Sequence, residues 1–357
     1  MQDDKAGSPL IPRLALAKMF LLLAGLFVAS EAHADNVADF YRKTNVVIGI
    51  GSGPGGGYDA YARLLARNYG RFLPGNPTVI VQNIPGAGGL KGANSLYNIA
   101  PKDGSNIAIL QNTLTLNQIA KSTSVAYDLT KFGWLGSMST TSTICAFTKN
   151  AQVETANDIF TKDVIIGTSS GSTAMIPAIL NSLAKTRFKG VKGYESTNNV
   201  LLAMERSEVN GVCGWGWDSA KVQARTYLEN NAFKISLDIA NEPNPDLKAM
   251  GIPFIMDFVK EGDDKAALQL ILSTQVYNRP FAAPPGVPAE RLTALQKAFA
   301  DTMKDSAFLA EAARSNMDIA FMGPNEIEKL LAAAFKAPAA VQERAINELK
   351  QAGWGGL

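Results

Sequence analysis

The sequence predicts an α/β fold with two lobes, each an open, mostly parallel sheet flanked by helices. Strand-like and helix-like segments alternate along the chain, which is typical of parallel α/β sheets. Two glycine-rich turns, Gly51–Gly57 and Pro85–Gly89, each lie between a strand-like run and a helix-like run. About 320 residues follow the N-terminal segment, more than one typical core, so two domains are expected.

Residues 1–34 have the pattern of a secretory signal peptide. Arg13 and Lys18 precede an apolar stretch, and Ala32-His33-Ala34 forms an A-x-A cleavage pattern. The apolar stretch is about half as long as the roughly 20 residues of a membrane-spanning helix. We therefore expect cleavage after Ala34 and a soluble periplasmic product; a retained N-terminal anchor is the alternative.

The composition excludes several classes of protein. The formal net charge is +2, and it stays +2 without residues 1–34, which hold three basic and three acidic residues, so a nucleic-acid binder is not expected. The single histidine, His33, lies in the predicted signal peptide, which removes most hydrolase mechanisms. Two cysteines without histidine also lack the ligands of an ordinary zinc site. No metal and no cofactor are expected.

The first strand–loop–helix unit predicts an anion site. The apolar β-branched run Thr44–Ile50 is the first strand, and a helical pattern begins directly after the glycine loop. A helix N-terminus offers unpaired N–H groups and a partial positive charge, and glycines let a ligand approach that backbone. The predicted ligand contacts of this loop are Gly55, Gly56, Gly57 and Tyr58.

The second unit repeats this layout. Thr78–Val81 is the predicted strand and Leu90–Ile99 the helix, which ends before Pro101 and the Asp103-Gly104 turn; a third strand, Asn106–Leu110, follows. Both glycine loops then lie at carboxyl ends of neighbouring parallel strands, where open α/β sheets bind ligands. The predicted contacts here are Gly86, Ala87, Gly88, Gly89, Asn112 and Thr113.

A second set of units begins after Trp134-Leu135-Gly136. The predicted strands are Thr143–Thr148, Val164–Thr168, Gly190–Tyr194 and Val209–Trp215, with helices over Ala174–Thr186 and Asn199–Glu205. The hydroxyl-rich loop Ser169–Thr173 is again a helix N-terminus. The predicted ligand contacts of this lobe are Ser169, Ser170, Ser172, Tyr194, Trp215 and Asp218. Aromatic residues at strand ends are equally common in cores, so that alternative stays open for Tyr194 and Trp215.

The predicted domains are lobe 1, residues 35–138 and about 238–325, and lobe 2, residues 139–237. The chain is expected to return to lobe 1 through Leu270–Tyr277, and Pro280, Pro284, Pro285 and Pro288 indicate a linker. Four helices are predicted after it: Ala289–Met303, Phe308–Arg314, Asn325–Phe335 and Ala337–Lys350. Residues from about 326 to 357 are expected to pack on the lobes.

Two motifs suggest enzymes and lack an essential part. Gly51–Gly56 satisfies G-x-G-x-x-G, but the second strand ends Val81-Gln82-Asn83 without the acidic residue that binds a ribose. Gly167–Gly171 matches G-x-S-x-G, the nucleophile elbow of serine hydrolases, which needs a histidine base. Its serines are therefore interpreted as hydrogen-bond donors to a ligand, with a simple helix cap as the alternative.

Three further residues carry structural expectations. Cys145 and Cys213 lie on two predicted strands of the second lobe, and an oxidising compartment permits either a disulfide or two buried thiols. Asp59 begins the first helix, four positions before Arg63. We expect Asp59 to shape the glycine loop rather than to touch an anion.

In its glycine loops and in several later motifs the chain resembles the periplasmic solute receptors of the tripartite tricarboxylate transporter class, also called Bug receptors. The similarity runs through nearly the whole chain after the signal peptide. The motifs that carry it are Pro54–Asp59 with Ala62-Arg63, Val81–Gly89, Pro101–Gly104, Glu205–Gly211, Arg279-Pro280 and Ala283–Pro288.

The resemblance implies a type II periplasmic-binding-protein-like fold whose two lobes close on a small carboxylate. In this family the glycine loops hold the carboxylate through backbone N–H groups and ordered waters, which corresponds here to Gly55–Tyr58 and Gly86–Gly89. The implied protein is a monomer, not an enzyme, that delivers its ligand to integral-membrane permease subunits. The alternatives are a receptor that feeds a membrane signalling sensor and an exported enzyme.

The chain departs from the family pattern at two places. Many members carry a proline and an aromatic residue where this chain has Gly51 and Ser52. The serine loop of the second lobe also lacks the histidine that often follows it. Citrate-like, dicarboxylate and aromatic carboxylate ligands therefore all stay open.

Overall fold

The computed structural model describes residues 37–140, 142–169 and 171–352. The signal-peptide prediction, with its cleavage site, and Ser170 lie outside these residues. The strands are β1 Val46–Ile50, β2 Val79–Asn83, β3 Asn106–Ile109, β4 Gly133–Ser137, β5 Thr143–Thr148, β6 Val164–Gly167, β7 Phe188–Val191, β8 Gly211–Gly216, β9 Phe233–Ile239 and β10 Pro280–Ala283.

The helices alternate with these strands and then close the chain. They are α1 (37–43), α2 Gly57–Tyr69, α3 Leu90–Asn98, α4 Leu114–Ile119, α5 Asp158–Thr161, α6 Ser172–Leu183, α7 Thr197–Glu205, α8 Trp217–Gln223, α9 Arg225–Glu229, α10 Pro245–Ala249, α11 Asp263–Ser273, α12 Ala289–Lys304, α13 Ser306–Arg314, α14 Pro324–Phe335 and α15 Ala339–Gln351. Within the described residues, no helix is both long and apolar enough to span a membrane.

The strands form two five-stranded sheets with the same plan. The first has the order β2-β1-β3-β10-β4 and the second the order β7-β6-β8-β5-β9. In the first sheet β10 runs antiparallel to both neighbours, and in the second β5 does. The remaining pairs are parallel. The predicted fold class, two open and mostly parallel sheets flanked by helices, is confirmed.

Each sheet has buried apolar side chains on both faces. In the first sheet, Ile48 and Ile50 of β1 pack with Leu64 and Leu65 of α2, all of them inaccessible to solvent. Helix α3 covers the opposite face, where Ala93 and Leu96 meet Ala108 and Leu110. Helix α6 packs in the same way on the second sheet. Burial on both faces explains why the strands read as continuous apolar runs.

The predicted linker at Pro280 is wrong, because Pro280 begins strand β10. This strand lies between β3 and β4, where a proline is not expected in the middle of a strand. Pro280 fits as the first residue: it has no N–H to donate, and its carbonyl accepts a 2.9 Å hydrogen bond from the N–H of Leu110.

Strand β9, at the edge of the second sheet, was not predicted from the sequence either.

The chain returns to the first sheet later than predicted. Residues 270–273 are the end of α11, which is buried in the core of the second sheet through Leu268 and Ile271. The crossing itself is made by Asn278 and Arg279. They pair with residues 138 and 139, where the chain first crosses from the first sheet to the second. The Asn278 N–H donates to the Ser139 carbonyl at 3.0 Å, and the Met138 N–H donates to the Arg279 carbonyl at 3.1 Å.

The C-terminal helices divide between the two cores. Ile327 and Leu331 of α14 pack with residues of the first sheet, and Ala345 and Leu349 of α15 pack in the core of the second. The domain division stays a prediction. The packing of α11 favours a return to lobe 1 at β10 instead of at about residue 238.

Cys145 and Cys213 are joined by a disulfide in the structure. They are register partners on the neighbouring antiparallel strands β5 and β8, and both are fully buried. Because the bridge joins two adjacent strands within one sheet, it leaves the two lobes free to move relative to each other.

Candidate ligand-binding site

A polar cavity of about 60 Å³ lies between the two sheets, at their carboxyl ends. The first sheet and the crossing segment contribute Ser52, Gly56, Gly57, Tyr58, Gln111, Asn112, Asn278 and Arg279. The second sheet contributes Thr143, Ser169, Gly171, Ser172, Thr173, Glu195, Ser196, Thr197, Gly214, Trp215, Gly216 and Ser219. We call it the interlobe cavity. Loops after strands of both sheets therefore face a single space, as expected for a ligand held between lobes.

The first glycine loop lies directly on this cavity. Helix α2 begins at Gly57, and no side chain caps its first turn. A Cβ atom at Gly57 would lie 2.0 Å from Ser219 Oγ and 3.0 Å from Arg279 Nη2, so only glycine fits where the second lobe approaches. The backbone N–H groups at the start of α2 are thus available to an anion in the cavity.

Asp59 holds this loop in shape, as expected. Its carboxylate accepts hydrogen bonds from the backbone N–H of Gly55 (3.0 Å), from Arg63 Nε (2.9 Å) and from Asn83 Nδ2 (2.9 Å). Burial alone would raise the pKa of Asp59, but these hydrogen bonds outweigh burial and hold it below its usual value. The ionised carboxylate of Asp59 therefore holds the loop through the Gly55 N–H.

Arg279 is the residue that sequence reasoning missed as a site residue, because it was named only within the family motif Arg279-Pro280. Its guanidinium is buried and forms an ion pair with Asp218, with Nη2 2.8 Å from Oδ2. Nη2 also donates to Ser219 Oγ at 2.6 Å, and the group lies over the rings of Tyr58 and Tyr61, 4.5 and 5.1 Å from their centroids. The Arg279-Pro280 motif was the only signal that could have found it.

The electrostatics keep Arg279 charged and Tyr58 protonated. Burial alone would lower the pKa of Arg279, but the Asp218 carboxylate and the nearby tyrosines raise it. Burial raises the pKa of Tyr58. The Tyr58 hydroxyl donates to Asn112 Oδ1 and accepts from the Asn112 N–H, both at 3.3 Å, which ties the first glycine loop to the loop after β3.

Several buried polar atoms around the cavity have no hydrogen-bond partner among the described residues. They are Ser52 Oγ, Gln111 Oε1 and Arg279 Nε on the cavity lining, and Thr113 Oγ1 close to it. Native proteins satisfy more than nine-tenths of such groups, so these atoms are candidates to form hydrogen bonds with a ligand in the cavity. The cluster combines donors with acceptors.

The second glycine loop does not reach the interlobe cavity. Gly86 and Ala87 are exposed, and Gly89 is buried against Gly51 and Gln111, where a Cβ atom at Gly89 would lie 3.0 Å from the Gln111 side chain. The loop therefore packs against the first glycine loop. The role of Gly86, Ala87, Gly88 and Gly89 as ligand contacts stays a prediction.

The other predicted contacts divide into two groups. Gly56, Gly57, Tyr58, Asn112, Ser169, Ser172 and Trp215 line the cavity, whereas Gly55, Thr113, Tyr194 and Asp218 do not. Tyr194 packs against the apolar core of the second sheet, and Trp215 belongs to that core while its indole donates to Gln223 Oε1 at 2.9 Å. Asp218 is engaged by Arg279. Ligand binding by each of them stays a prediction.

The two lobes touch around the cavity. Gln223 Nε2 donates to the Gly55 carbonyl at 2.9 Å, and Lys221 pairs with Asp318. A Cβ atom at Gly171 would lie 2.7 Å from Gln111 Oε1. These contacts describe a closed arrangement. In the described ranges, no group of three or more His, Cys, Asp or Glu side chains could hold a metal ion.

Comparison with solved structures identifies proteins of the same architecture. The periplasmic binding protein BugD is 17% identical, with a TM-score of 0.66 over 87% of this chain and 98% of its own. MatC from Rhodopseudomonas palustris with bound malate is 18% identical, with a TM-score of 0.62 over 87% of this chain and 99% of its own. A second R. palustris protein, determined with adipate, is 16% identical, with a TM-score of 0.65 over 87% of this chain and 98% of its own.

No protein-family model matches the chain, and no curated protein matches it either. The structural neighbours nonetheless include Bug and tripartite tricarboxylate transporter receptors, and the match covers nearly the whole length of each. The resemblance predicted from the glycine motifs is therefore confirmed at the level of the fold. The chain has the two-lobed fold of the Bug periplasmic solute-binding proteins.

Proposed function

We propose that this chain is an exported Bug-type receptor, not an enzyme, that binds a small organic carboxylate between its lobes. It delivers this ligand to integral-membrane permease subunits of a tripartite tricarboxylate-type transporter. The proposal includes export to the periplasm with cleavage after Ala34, and function as a monomer. Malate and adipate, bound by two proteins of the same fold, are the ligand chemistry that motivates it.

The observation that carries the proposal is the set of unsatisfied donors on the interlobe cavity. The uncapped first turn of α2 presents backbone N–H groups, and Arg279 Nε on the lining of the same cavity has no hydrogen-bond partner among the described residues. A carboxylate is an acceptor-only group with four lone-pair sites, which suits several converging donors. Hydrogen bonds to a charged group contribute about 1.5–3 kcal/mol each, so three of them could supply much of the ~8 kcal/mol of micromolar binding.

The proposal is tested by isothermal titration calorimetry on the chain from Asp35. The ligands are monocarboxylates, dicarboxylates, tricarboxylates, sulfonates and neutral sugars of similar size. We expect stoichiometric binding of at least one carboxylate and none of the sugars. Binding of sugars with failure of every carboxylate would overturn the anion assignment.

A matched set of variants tests the site. The double variant Arg279→Met with Asp218→Asn removes the guanidinium without leaving a buried charge unpaired. We expect it to lose carboxylate binding while retaining a cooperative thermal transition. Arg67→Gln is the control, because Arg67 forms an exposed ion pair with Glu311 away from the cavity. Equal affinity in wild type and double variant would exclude Arg279 from the site.

Delivery and export need tests in cells. A strain without this chain should lose uptake of the identified carboxylate at low external concentration and regain it when the gene is restored. Intact uptake with loss of a transcriptional response to the same acid would instead favour the sensor alternative. Mass spectrometry of the periplasmic protein should find Asp35 as its first residue.

A further inference from the structure

A second cavity lies beside the interlobe cavity, inside the first lobe. It has a volume of about 220 Å³, lies between α3 and the face of the first sheet that carries Val47, Gly49 and Gly51, and opens to solvent beside Ile99 and Pro101. We call it the α3 cavity. Its existence follows from small residues at facing positions, with Gly49 and Ala108 on the strands and Ala93 on the helix.

The α3 cavity leads toward the interlobe cavity. It extends along the strands from Val47 and Asn106, which are register partners near the start of β1 and β3, to Gly51 and Gln111 beyond their carboxyl ends. Gln111 lines both cavities, and Ser52, which follows Gly51, lines the interlobe cavity. The side chain of Gln111 therefore lies at the boundary between the two spaces.

Gln111 is held weakly at this boundary. Its Nε2 is 3.5 Å from the Gly51 carbonyl oxygen, the longest distance that still counts as a hydrogen bond. Its Oε1 is buried and has no partner among the described residues. Rotation of the Gln111 side chain, which would connect the two cavities, breaks one weak hydrogen bond and the packing of this side chain against Gly89 and Gly171.

The chemistry of the two cavities is complementary. The interlobe cavity is small and lined by hydroxyls, amides and a guanidinium. The lining of the α3 cavity is mostly apolar, with Ile84, Leu96 and Ile107 beside its glycines and alanines, and its polar side chains are Gln82, Ser95, Asn106 and Gln111. An apolar cavity of about 150 Å³ suffices to bind benzene. A space of 220 Å³ therefore accepts a phenyl ring or a short alkyl chain.

We infer that the ligand is a monocarboxylate with an apolar tail, either aromatic or of medium chain length. Its carboxylate lies in the interlobe cavity, and its tail passes Gln111 into the α3 cavity. The inference rests on the proposed function and specifies its substrate class. Transfer of the tail from water to an apolar space adds affinity in proportion to the area buried.

The test compares acids that share a carboxylate head group and differ in the size of the apolar tail. Propionate is the short probe, and hexanoate and 3-phenylpropionate are the long ones, each titrated calorimetrically into the chain from Asp35. We expect the long acids to bind at least about tenfold more tightly than propionate, because hexanoate adds three buried carbons and 3-phenylpropionate adds six.

Two variants narrow the α3 cavity without touching the interlobe cavity. Ser95→Leu and Ala93→Leu each add apolar volume from α3, since both residues line the α3 cavity alone. We expect each to reduce the long-to-short affinity ratio to near one while the affinity for propionate is unchanged. Ser95→Ala is the matched control at the same position and should keep the wild-type ratio.

The outcomes separate this inference from the proposed function. The tail assignment is overturned if wild type binds short and long acids with equal affinity. It is also overturned if both leucine variants keep the long-to-short affinity ratio of wild type. Either result leaves the receptor proposal intact. Failure of every carboxylate to bind overturns both. A cooperative thermal transition shows whether each leucine variant is folded. Because both variants narrow the same cavity, one folded variant is enough for the comparison.

Discussion

The two glycine loops share a sequence pattern and differ in what they face. The loop before α2 lines the polar cavity between the lobes, and the loop before α3 packs behind it against Gly51 and Gln111. The strands before them are neighbours, β1 and β2, with parallel register. Equal local chemistry therefore does not imply equal access to the ligand.

Sheet order explains why the first glycine loop lies on the cavity. Strand β1 lies between β2 and β3, and the order changes direction at β1 and β3, whereas β2 is an edge strand. In open α/β sheets the crevice lies where the strand order reverses, which places the loops after β1 and β3 on it. In the second sheet the loop after edge strand β7 does reach the cavity, through Glu195 and Ser196. An edge position alone is therefore not decisive.

The largest expected effect concerns the ion pair beside the first loop. Asp218→Asn and Arg279→Met should each lower the free energy of unfolding by about 3–5 kcal/mol, because each leaves a buried charge uncompensated. The double variant should lose less than the sum of the two. Urea denaturation of all three variants measures the coupling, and additive losses would show that the pair does not act as a unit.

The next effect tests the first loop directly. Gly57→Ala should weaken ligand binding roughly 100-fold, about 2.7 kcal/mol, because a Cβ there would lie 2.0 Å from Ser219 Oγ of the second lobe in the closed arrangement. Thermal stability without ligand should change little. Gly56→Ala is the neighbouring control, since a Cβ there has no neighbour closer than 3.7 Å. Equal binding by both variants would refute this account.

The second loop should respond in the opposite way. Gly88 has φ = 62°, a left-handed conformation that costs other residues about 1–2 kcal/mol. Gly88→Ala is therefore expected to lower the free energy of unfolding by about 1 kcal/mol and to leave ligand affinity unchanged. Calorimetry and chemical denaturation of the same sample separate the two quantities. A selective loss of affinity would instead place the second loop at the ligand.

The smallest effect is a pH dependence at the back of the first loop. The folded pKa of Asp59 is below its unfolded value, so its stabilisation is fully present above about pH 4 and is lost as pH falls through the folded pKa. Asp59→Asn should be less stable than wild type at pH 7, and the difference should shrink in acid. Asp39→Asn, at an exposed position, is the control for denaturation followed from pH 7 to pH 2.

Local sequence signals were sufficient for the alternating units. The helix predicted from Leu90 and the strand predicted over Thr143–Thr148 agree with α3 and β5, because periodicity and flanking glycines are properties of the chain itself. Strand β10 could not be predicted in this way. Its four residues begin with proline and lie among further prolines, and only pairing with β3 and β4 makes them a strand.

Local patterns in the sequence predicted the alternating α/β class and the role of Asp59, because strand-like runs, glycine turns and a helix start each lie within a short stretch of chain. Anion binding at the first helix N-terminus stays a prediction. The tertiary structure alone decided that Arg279 joins Asp218, 61 positions away, beside the first loop. It also decided that the second glycine loop backs an apolar cavity instead of the polar one. Which loops share a space depends on the order of strands in a sheet, and that order is set by long-range packing.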